Sequence, residues 1–461
     1  MASTKIPLTG LQSRPVDRLL SPFQSFFKIE AAGGILLLFA TIVALVWANS
    51  PWAASYEKLW HGTYFGLSLF EKADGSALFD LKMSLGHWVN DGLMVIFFFV
   101  VGLEIKREIL VGGLSSPKPA LVPIAAAIGG ILFPALLYAA INLGSVGPAT
   151  KGWAIPTATD IAFALGIMAL LGKRVPLSLK IFLTALAIVD DIGAVLIIAF
   201  FYTEGLDTTA LLSGGFVFAL LMTCNLLQVR WIVVYLVLGL FLWYFVYKSG
   251  IHATIAGVLL AFTIPARSLL AGHHFVVFGR KAMDAYAEAG GDKDEIMADP
   301  GRQKLVHGIE TAAEAVQPPL LRLEHMIHPW SAFLIMPVFA LANAGVAIGD
   351  LSVLFTSTVS LGIIVGLIVG KQIGISLFTW LVVRTGWGDL PEGTTFMQVY
   401  AASWLAGIGF TMSLFIAGLG FGSGAELERA KMGILFASFV AGTVGYVLLR
   451  RFTSPPEPEF P

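Results

Sequence analysis

Asp190 and Asp191 stand side by side in an apolar run, 181 to 200, long enough to cross a bilayer. An acid at the bilayer centre costs roughly 2.5 to 3.5 kcal/mol on insertion scales, so a chain that keeps two adjacent ones is using them, and moving ions is the use that fits. Neighbouring residues on a helix point about 100° apart. The two carboxyls therefore have different surroundings, and one can ligate a cation while the other is paired. A third acid, Asp160, follows Pro156, Thr157 and Thr159 in the run Trp153 to Gly166. Proline removes a backbone hydrogen bond, lipid supplies no substitute, and the freed carbonyls must face protein or a water-filled cavity. A broken helix is expected there. The segment Gly407-Ile-Gly-Phe-Thr-Met-Ser413 repeats the anomaly with Gly407, Gly409 and Thr411. Interruptions in two halves of a transporter point to crossing half-helices around an ion site near the midplane.

One buried cation accompanies the acids. Lys371, in Gly366 to Ser376, lies too deep in an apolar stretch for its stem to reach a headgroup, and it needs an acidic partner. A static salt-bridge cluster is the competing reading, but three acids against one lysine leave too much negative charge. Positive half-helix ends can be balanced by Asp160. Burial and a neighbouring carboxylate both favour the protonated form of an acid. Protons then compete with a small hard cation, which carboxylate and hydroxyl oxygens suit.

These side chains need a membrane scaffold, and the composition provides it. Of 461 residues, 57% are hydrophobic and 13% charged, far from the roughly 25% charge of a soluble domain. The chain is expected to be an all-α polytopic membrane protein. Apolar runs near 33–47, 85–103, 120–141, 152–171, 178–201, 209–227, 231–247, 250–265, 329–348, 358–383, 396–420 and 431–449 make twelve spans, counted here as first to twelfth. No cleavable signal is expected before the first, since the opening residues carry Lys5, Arg14, Arg18 and Lys28. Residues 1–32 read as a cytoplasmic segment, 33–449 as the transporter domain and 450–461 as a cytoplasmic tail.

Counting Lys and Arg in the connections sets the orientation. Lys106, Arg107, Lys118, Lys173, Arg174, Lys180, Arg230, Arg267, Arg280, Lys281, Arg450 and Arg451 fall on one side, which is expected to be cytoplasmic with both termini. The other side holds Lys151, Lys248 and the acids Glu204, Asp207, Asp350, Glu426 and Glu428. A net charge of −1 with scattered basic residues gives no nucleic-acid surface. The single cysteine, Cys224, excludes an internal disulfide and a thiolate metal site. Within the outer loop 50–84, Asp74-Gly75 between short β-prone runs predicts a hairpin. The segment 267–317, with Gly290, Gly291, Asp292, Asp294 and Glu295 and little apolar periodicity, reads as a flexible cytoplasmic loop with some helix.

The strings Thr159-Asp-Ile-Ala-Phe-Ala-Leu-Gly166, Ala185-Leu-Ala-Ile-Val-Asp-Asp-Ile-Gly-Ala194, Gly250-Ile-His-Ala-Thr-Ile-Ala-Gly257, His328-Pro-Trp330 and Gly407 to Ser413 resemble the NhaA family of bacterial Na+/H+ antiporters from about Asn90 onward. The resemblance implies twelve spans with inverted repeats and two crossing discontinuous helices. It also implies pH-regulated, electrogenic exchange of Na+ or Li+ for more than one proton in a bacterial inner membrane, with no cofactor and no enzymatic reaction. Carried onto matching positions, Asp191 is the main cation ligand and proton carrier. Asp190 is the second essential acid, paired with Lys371, and Asp160 with Thr159 balances charge. Glu104, Arg107, Glu108, Glu324 and His325 match a pH-responsive cytoplasmic mouth, and His252 matches a histidine that modulates the response. The outer hairpin resembles one through which members form homodimers.

Departures are Gln372, where a proline is familiar after the lysine, Met326 near Glu324, and the length of 267–317. They bear on the pH set-point more than on the activity. Two rivals of other classes remain. A Na+- or H+-coupled symporter of a small solute needs a roomy polar cavity, whereas these motifs gather only small oxygen ligands. An intramembrane aspartyl protease needs Tyr-Asp and Gly-x-Gly-Asp strings, which are absent around Asp160, Asp190 and Asp191. A channel is disfavoured because titrating acids imply a cycle of binding and release.

Overall fold

The computed structural model describes residues 32–66, 68–71, 77–145, 147–203, 205–288, 299–349 and 351–453. Lys5, Arg14, Arg18, Lys28, Asp74, Gly75, Glu204, Gly290, Gly291, Asp292, Asp294, Glu295 and Asp350 lie outside the described residues. Among the described residues, seven helices are long and apolar enough to cross a membrane, or up to nine if each bent pair, Ala32–Ala48 with Ala53–Trp60 and Phe396–Ala406 with Phe410–Phe421, is one span. Three shorter ones complete the twelve expected passages: Met94–Leu110, Ile232–Lys248 and Ile255–Thr263.

Two passages are broken. The fourth begins as a 3-10 helix, Pro148–Thr157, then runs extended through Ala158 to Asp160 before the helix Ile161–Leu170. Pro156 at the end of the first piece cannot donate to the preceding turn, so the chain leaves the helix there. The eleventh consists of Phe396–Ala406 and Phe410–Phe421, bent by 45° across Gly407 to Gly409. Glycine is required at Gly407 by a close approach, because a Cβ there would meet the Leu367 carbonyl oxygen at 2.7 Å.

Three more passages carry π-turns inside a helix: Trp88–Leu93 in the second, Ser331–Ile335 in the ninth and Gly366–Gly370 in the tenth. Such bulges are frequent where a helix must re-aim a side chain at a functional site. The last one immediately precedes Lys371. The third and tenth passages, Pro117–Ile141 and Thr358–Arg384, touch backbone to backbone at glycines. A Cβ on Gly129 would lie 2.2 Å from the Gly374 oxygen, and one on Gly374 would lie 2.0 Å from the Gly129 oxygen. Small residues let membrane helices approach this closely, and the contact fixes the height of Lys371 in the bundle.

Between the first two passages, Ser68–Glu71 pairs antiparallel with Ala77–Asp80, and Tyr64–Phe65 pairs with Met83–Ser84. The described parts of the segment 267–317, which are 267–288 and 299–317, are more helical than the sequence leads one to expect. They hold two helices, Gly272–Glu288 and Pro300–Val316, packed on one another. Ala282 and Ala312 are buried, the Phe278 ring lies against Gly308, and the Arg302 guanidinium stands over the Tyr286 ring at 5.1 Å. Asp299 caps the second helix by accepting from the backbone N–H groups of Gly301 and Arg302, ahead of Pro300 at its first position. Arg230 ties the base to the connection between the sixth and seventh passages, donating to the Arg267 carbonyl at 2.5 Å.

Candidate functional site

The two breaks cross, and each uses the other's loose backbone. The Asp160 N–H donates to the Ile408 carbonyl at 2.7 Å, and the Ser413 hydroxyl donates to the Ile155 carbonyl at 2.7 Å. Asp160 itself caps two half-helices. Its Oδ1 accepts from Phe163 N–H at 2.9 Å, at the start of Ile161–Leu170. Its Oδ2 accepts from Thr411 N–H at 3.1 Å and from the Thr411 hydroxyl, at the start of Phe410–Phe421. Both positive helix ends thus converge on one carboxyl.

The opposite ends converge on hydroxyl and ammonium groups. Thr159 Oγ1 donates to the Ala406 carbonyl at 2.8 Å, the C-terminal end of Phe396–Ala406, and accepts from Lys371 Nζ at 3.0 Å. Lys371 Nζ also donates to Asp190 Oδ2 at 2.7 Å, with both side chains fully buried. The fifth passage, Leu177–Phe201, carries Asp190 toward this lysine and turns Asp191 away from it. Asp191 is 2% exposed and has neither an ion-pair nor a hydrogen-bond partner among the described residues.

Asp160, Thr159, Asp190, Asp191, Lys371 and Thr411 are therefore brought together, with Pro156, Gly407 and Gly409 shaping the breaks. Chemically, one acid is neutralised by a lysine and a second by helix ends. The third has neither kind of partner among the described residues.

A second constellation lies at the Lys- and Arg-rich ends of the second and ninth passages. Arg107 bridges Glu108 and Glu324, at 3.1 Å to each, and Glu108 Oε2 also accepts from Gly113 N–H at 2.8 Å. His328 Nε2 stands 3.8 Å from Glu104 Oε1. His325, on the helix Pro319–Trp330, is exposed. The sequence reading quoted His328 in the string His328-Pro-Trp330 but gave it no place in this cluster, although it stands four residues after Glu324 and so on the same helix face.

His252 stands apart from that group. Its Nε2 is 3.5 Å from Asp91 Oδ1, its Nδ1 is 2.8 Å from Thr254 Oγ1, and its ring packs edge-on to Phe415 at 5.3 Å. Asp91 was also missed, although it is an acid inside an apolar run like the others. The Trp243 indole N–H donates to its backbone carbonyl at 2.8 Å.

The family model described as Na+/H+ antiporter 1 matches residues 24–449. A protein of Oleidesulfovibrio alaskensis named "Na(+)/H(+) antiporter NhaA" is 52% identical over 454 residues, covering 98% of this chain and 98% of that protein. One of Koribacter versatilis with the same name is 48% identical, covering 95% of this chain and 93% of its own length. One of Vibrio campbellii, again so named, is 45% identical over 92% of this chain and 94% of that protein. A multi-pass helical bundle with two broken passages crossing at buried acids, matched along nearly its whole length by such relatives, belongs to the Na+/H+ antiporter 1 family.

Proposed function

We propose that the chain is a secondary antiporter exchanging Na+, or Li+, for protons, electrogenically and under pH control. Asp191 is the group on which proton and cation compete. The observation that carries this reading is the asymmetry of the two adjacent acids: Asp190 is paired with Lys371, and Asp191 has no ion-pair or hydrogen-bond partner among the described residues. When Asp191 is deprotonated, its charge, the Thr159 hydroxyl and nearby backbone carbonyls offer hard oxygen ligands to a small cation. When it is protonated, that attraction is gone and the cation leaves.

The broken passages supply the moving part. Their ends hold charge without a continuous hydrogen-bond ladder, so the core can rock about the site and open it to either side. Two grooves among the described residues, of about 1020 and 600 Å³, are lined by neither the three acids nor Lys371.

The Lys- and Arg-rich side, with both termini, faces the cytoplasm. Glu104, Arg107, Glu108, Glu324 and His325, joined by His328, then form a charged cytoplasmic mouth whose protonation sets access, and His252 modulates it from the other side. The strands between the first two passages form the contact of a homodimer. Tyr64→Cys in a Cys224→Ser background is expected to cross-link two copies in the membrane, and absence of any cross-linked species counts against this contact.

The primary experiment uses the purified protein in acid-loaded vesicles, with NaCl added outside and internal pH followed across a pH series. Internal alkalinisation without any organic solute, saturating with Na+ and rising with pH, is the expected result. A requirement for an organic solute overturns the antiport reading, and a rate independent of pH removes the regulatory mouth.

A further inference from the structure

We propose that Gln372 is a positioning residue for exchange, holding the end of the first half of the eleventh passage against the helix that carries Lys371. The inference rests on the reading that Lys371 and Asp190 belong to the ion site. Gln372 follows Lys371 on the tenth passage and is buried. Successive helical residues point about 100° apart. Lys371 is thereby aimed at Asp190 and Thr159, while Gln372 is aimed at the eleventh passage. The Ser403 hydroxyl lies 2.6 Å from Gln372 Oε1 and 2.7 Å from the Tyr400 carbonyl, within the helix Phe396–Ala406. The other end of the amide faces the break. A Cβ on Gly407 would stand 2.9 Å from Gln372 Nε2.

These contacts close a circuit. From Lys371 it runs to Thr159, from Thr159 to the Ala406 carbonyl, along one turn of helix to Ser403, and back through Gln372 to the Lys371 backbone. Two links hold the C-terminal end of that half-helix. The link through Thr159 sits inside the ion site and is disturbed whenever a cation or proton arrives. The link through Gln372 and Ser403 lies outside it and keeps the half-helix and the lysine in register while the first changes. A proline at this position has no side-chain amide and provides no such tie, so this chain has a fixed strut where the resemblance leads one to expect none.

The test compares Gln372→Leu, Ser403→Ala, the double variant and Ser403→Thr in vesicles, with Asp191→Asn alongside. Misplacing a site by a fraction of an ångström weakens binding without removing any reacting group. Each of the first two variants is expected to raise the Na+ concentration for half-maximal exchange about ten-fold, with the maximal rate kept within about two-fold. The double variant is expected to be no worse than either single, because both remove one contact. Ser403→Thr, which keeps the hydroxyl, should restore the wild-type value.

A wild-type half-saturation in Gln372→Leu and Ser403→Ala, or effects that add, overturns the proposal. If Asp191→Asn is dead in that same experiment, only the strut has failed. If Asp191→Asn also exchanges normally, the ion-site reading has failed with it. Ser403→Ala carries the test should Gln372→Leu not fold.

Discussion

Asp191→Asn is expected to abolish exchange, with a loss of at least about 100-fold in flux, and to leave the melting temperature close to that of the unmodified protein. The amide has the size of the acid but can neither carry the proton nor supply a charge for Na+. Stability is spared because the carboxyl has no ion-pair or hydrogen-bond partner among the described residues to lose. Asp190→Asn should behave differently. It leaves the Lys371 ammonium, 2.7 Å from Asp190 Oδ2 and fully buried, without its counter-charge, although the amide oxygen and Thr159 can still accept its hydrogen bonds. Removing one member of a buried pair costs about 3 to 5 kcal/mol, because the other charge stays behind. Asp190→Asn is therefore expected to lower both the melting temperature and the rate. Parallel flux and thermal-unfolding measurements separate the two. Equal destabilisation by both substitutions would contradict the assignment of Asp190 as the paired acid.

This asymmetry was only partly legible in the sequence. That Asp160, Asp190, Asp191 and Lys371 serve a function follows from desolvation alone, since each stands in an apolar run where a charge is expensive. That the fourth and eleventh passages break follows from Pro156 and from Gly407 and Gly409, because lipid offers freed backbone groups no partner. Helical phase separates Asp190 from Asp191 but cannot say which faces the lysine. That choice came from the resemblance, and the register of the third and tenth passages at Gly129 and Gly374 is the physical arrangement that brings Lys371 to Asp190.

Other features escaped for identifiable reasons. The helices Gly272–Glu288 and Pro300–Val316 do carry apolar residues at helical spacing, Phe275, Phe278 and Ala282 on one and Leu305, Ile309 and Ala312 on the other, and Asp299-Pro300 is a helix-start signal, but the charged, glycine-rich stretch 290–295 outweighed them in the reading. The π-turn before Lys371 consists of Gly-Leu-Ile-Val-Gly, which any apolar helix could contain. His252 was grouped by resemblance with residues at the cytoplasmic mouth, yet its contacts are with Asp91, at the opposite end of the second passage from Glu104 and Arg107, and with Thr254 and Phe415. A list of residues sharing a response carries no information about whether they share a place.

Asp160→Ala is the substitution expected to damage the fold most, and Asp160→Asn the one that shows why. In the unmodified protein this carboxyl accepts from two backbone N–H groups on two different half-helices and from one hydroxyl. Hydrogen bonds to a charged acceptor contribute about 1.5 to 3 kcal/mol each, and a donor left buried without a partner costs about 1 to 3 kcal/mol. Alanine removes all three contacts at once. It leaves the first N–H groups of Ile161–Leu170 and Phe410–Phe421 facing each other with their positive ends uncompensated. A loss of at least about 3 kcal/mol and failure of exchange are expected. Asparagine keeps one oxygen for Phe163 N–H but places an NH2 group toward Thr411, whose own N–H then has no acceptor. It is expected to retain a folded, monodisperse protein with a lower melting temperature than the unmodified chain. Its Na+ affinity should also be weakened, because the site has lost a negative charge next to Asp191. Thermal unfolding in detergent ranks the three proteins. If Asp160→Asn proves as stable and as active as the original, the crossing is held instead by the Asp160 N–H on the Ile408 carbonyl and the Ser413 hydroxyl on the Ile155 carbonyl, and the carboxyl does not organise it.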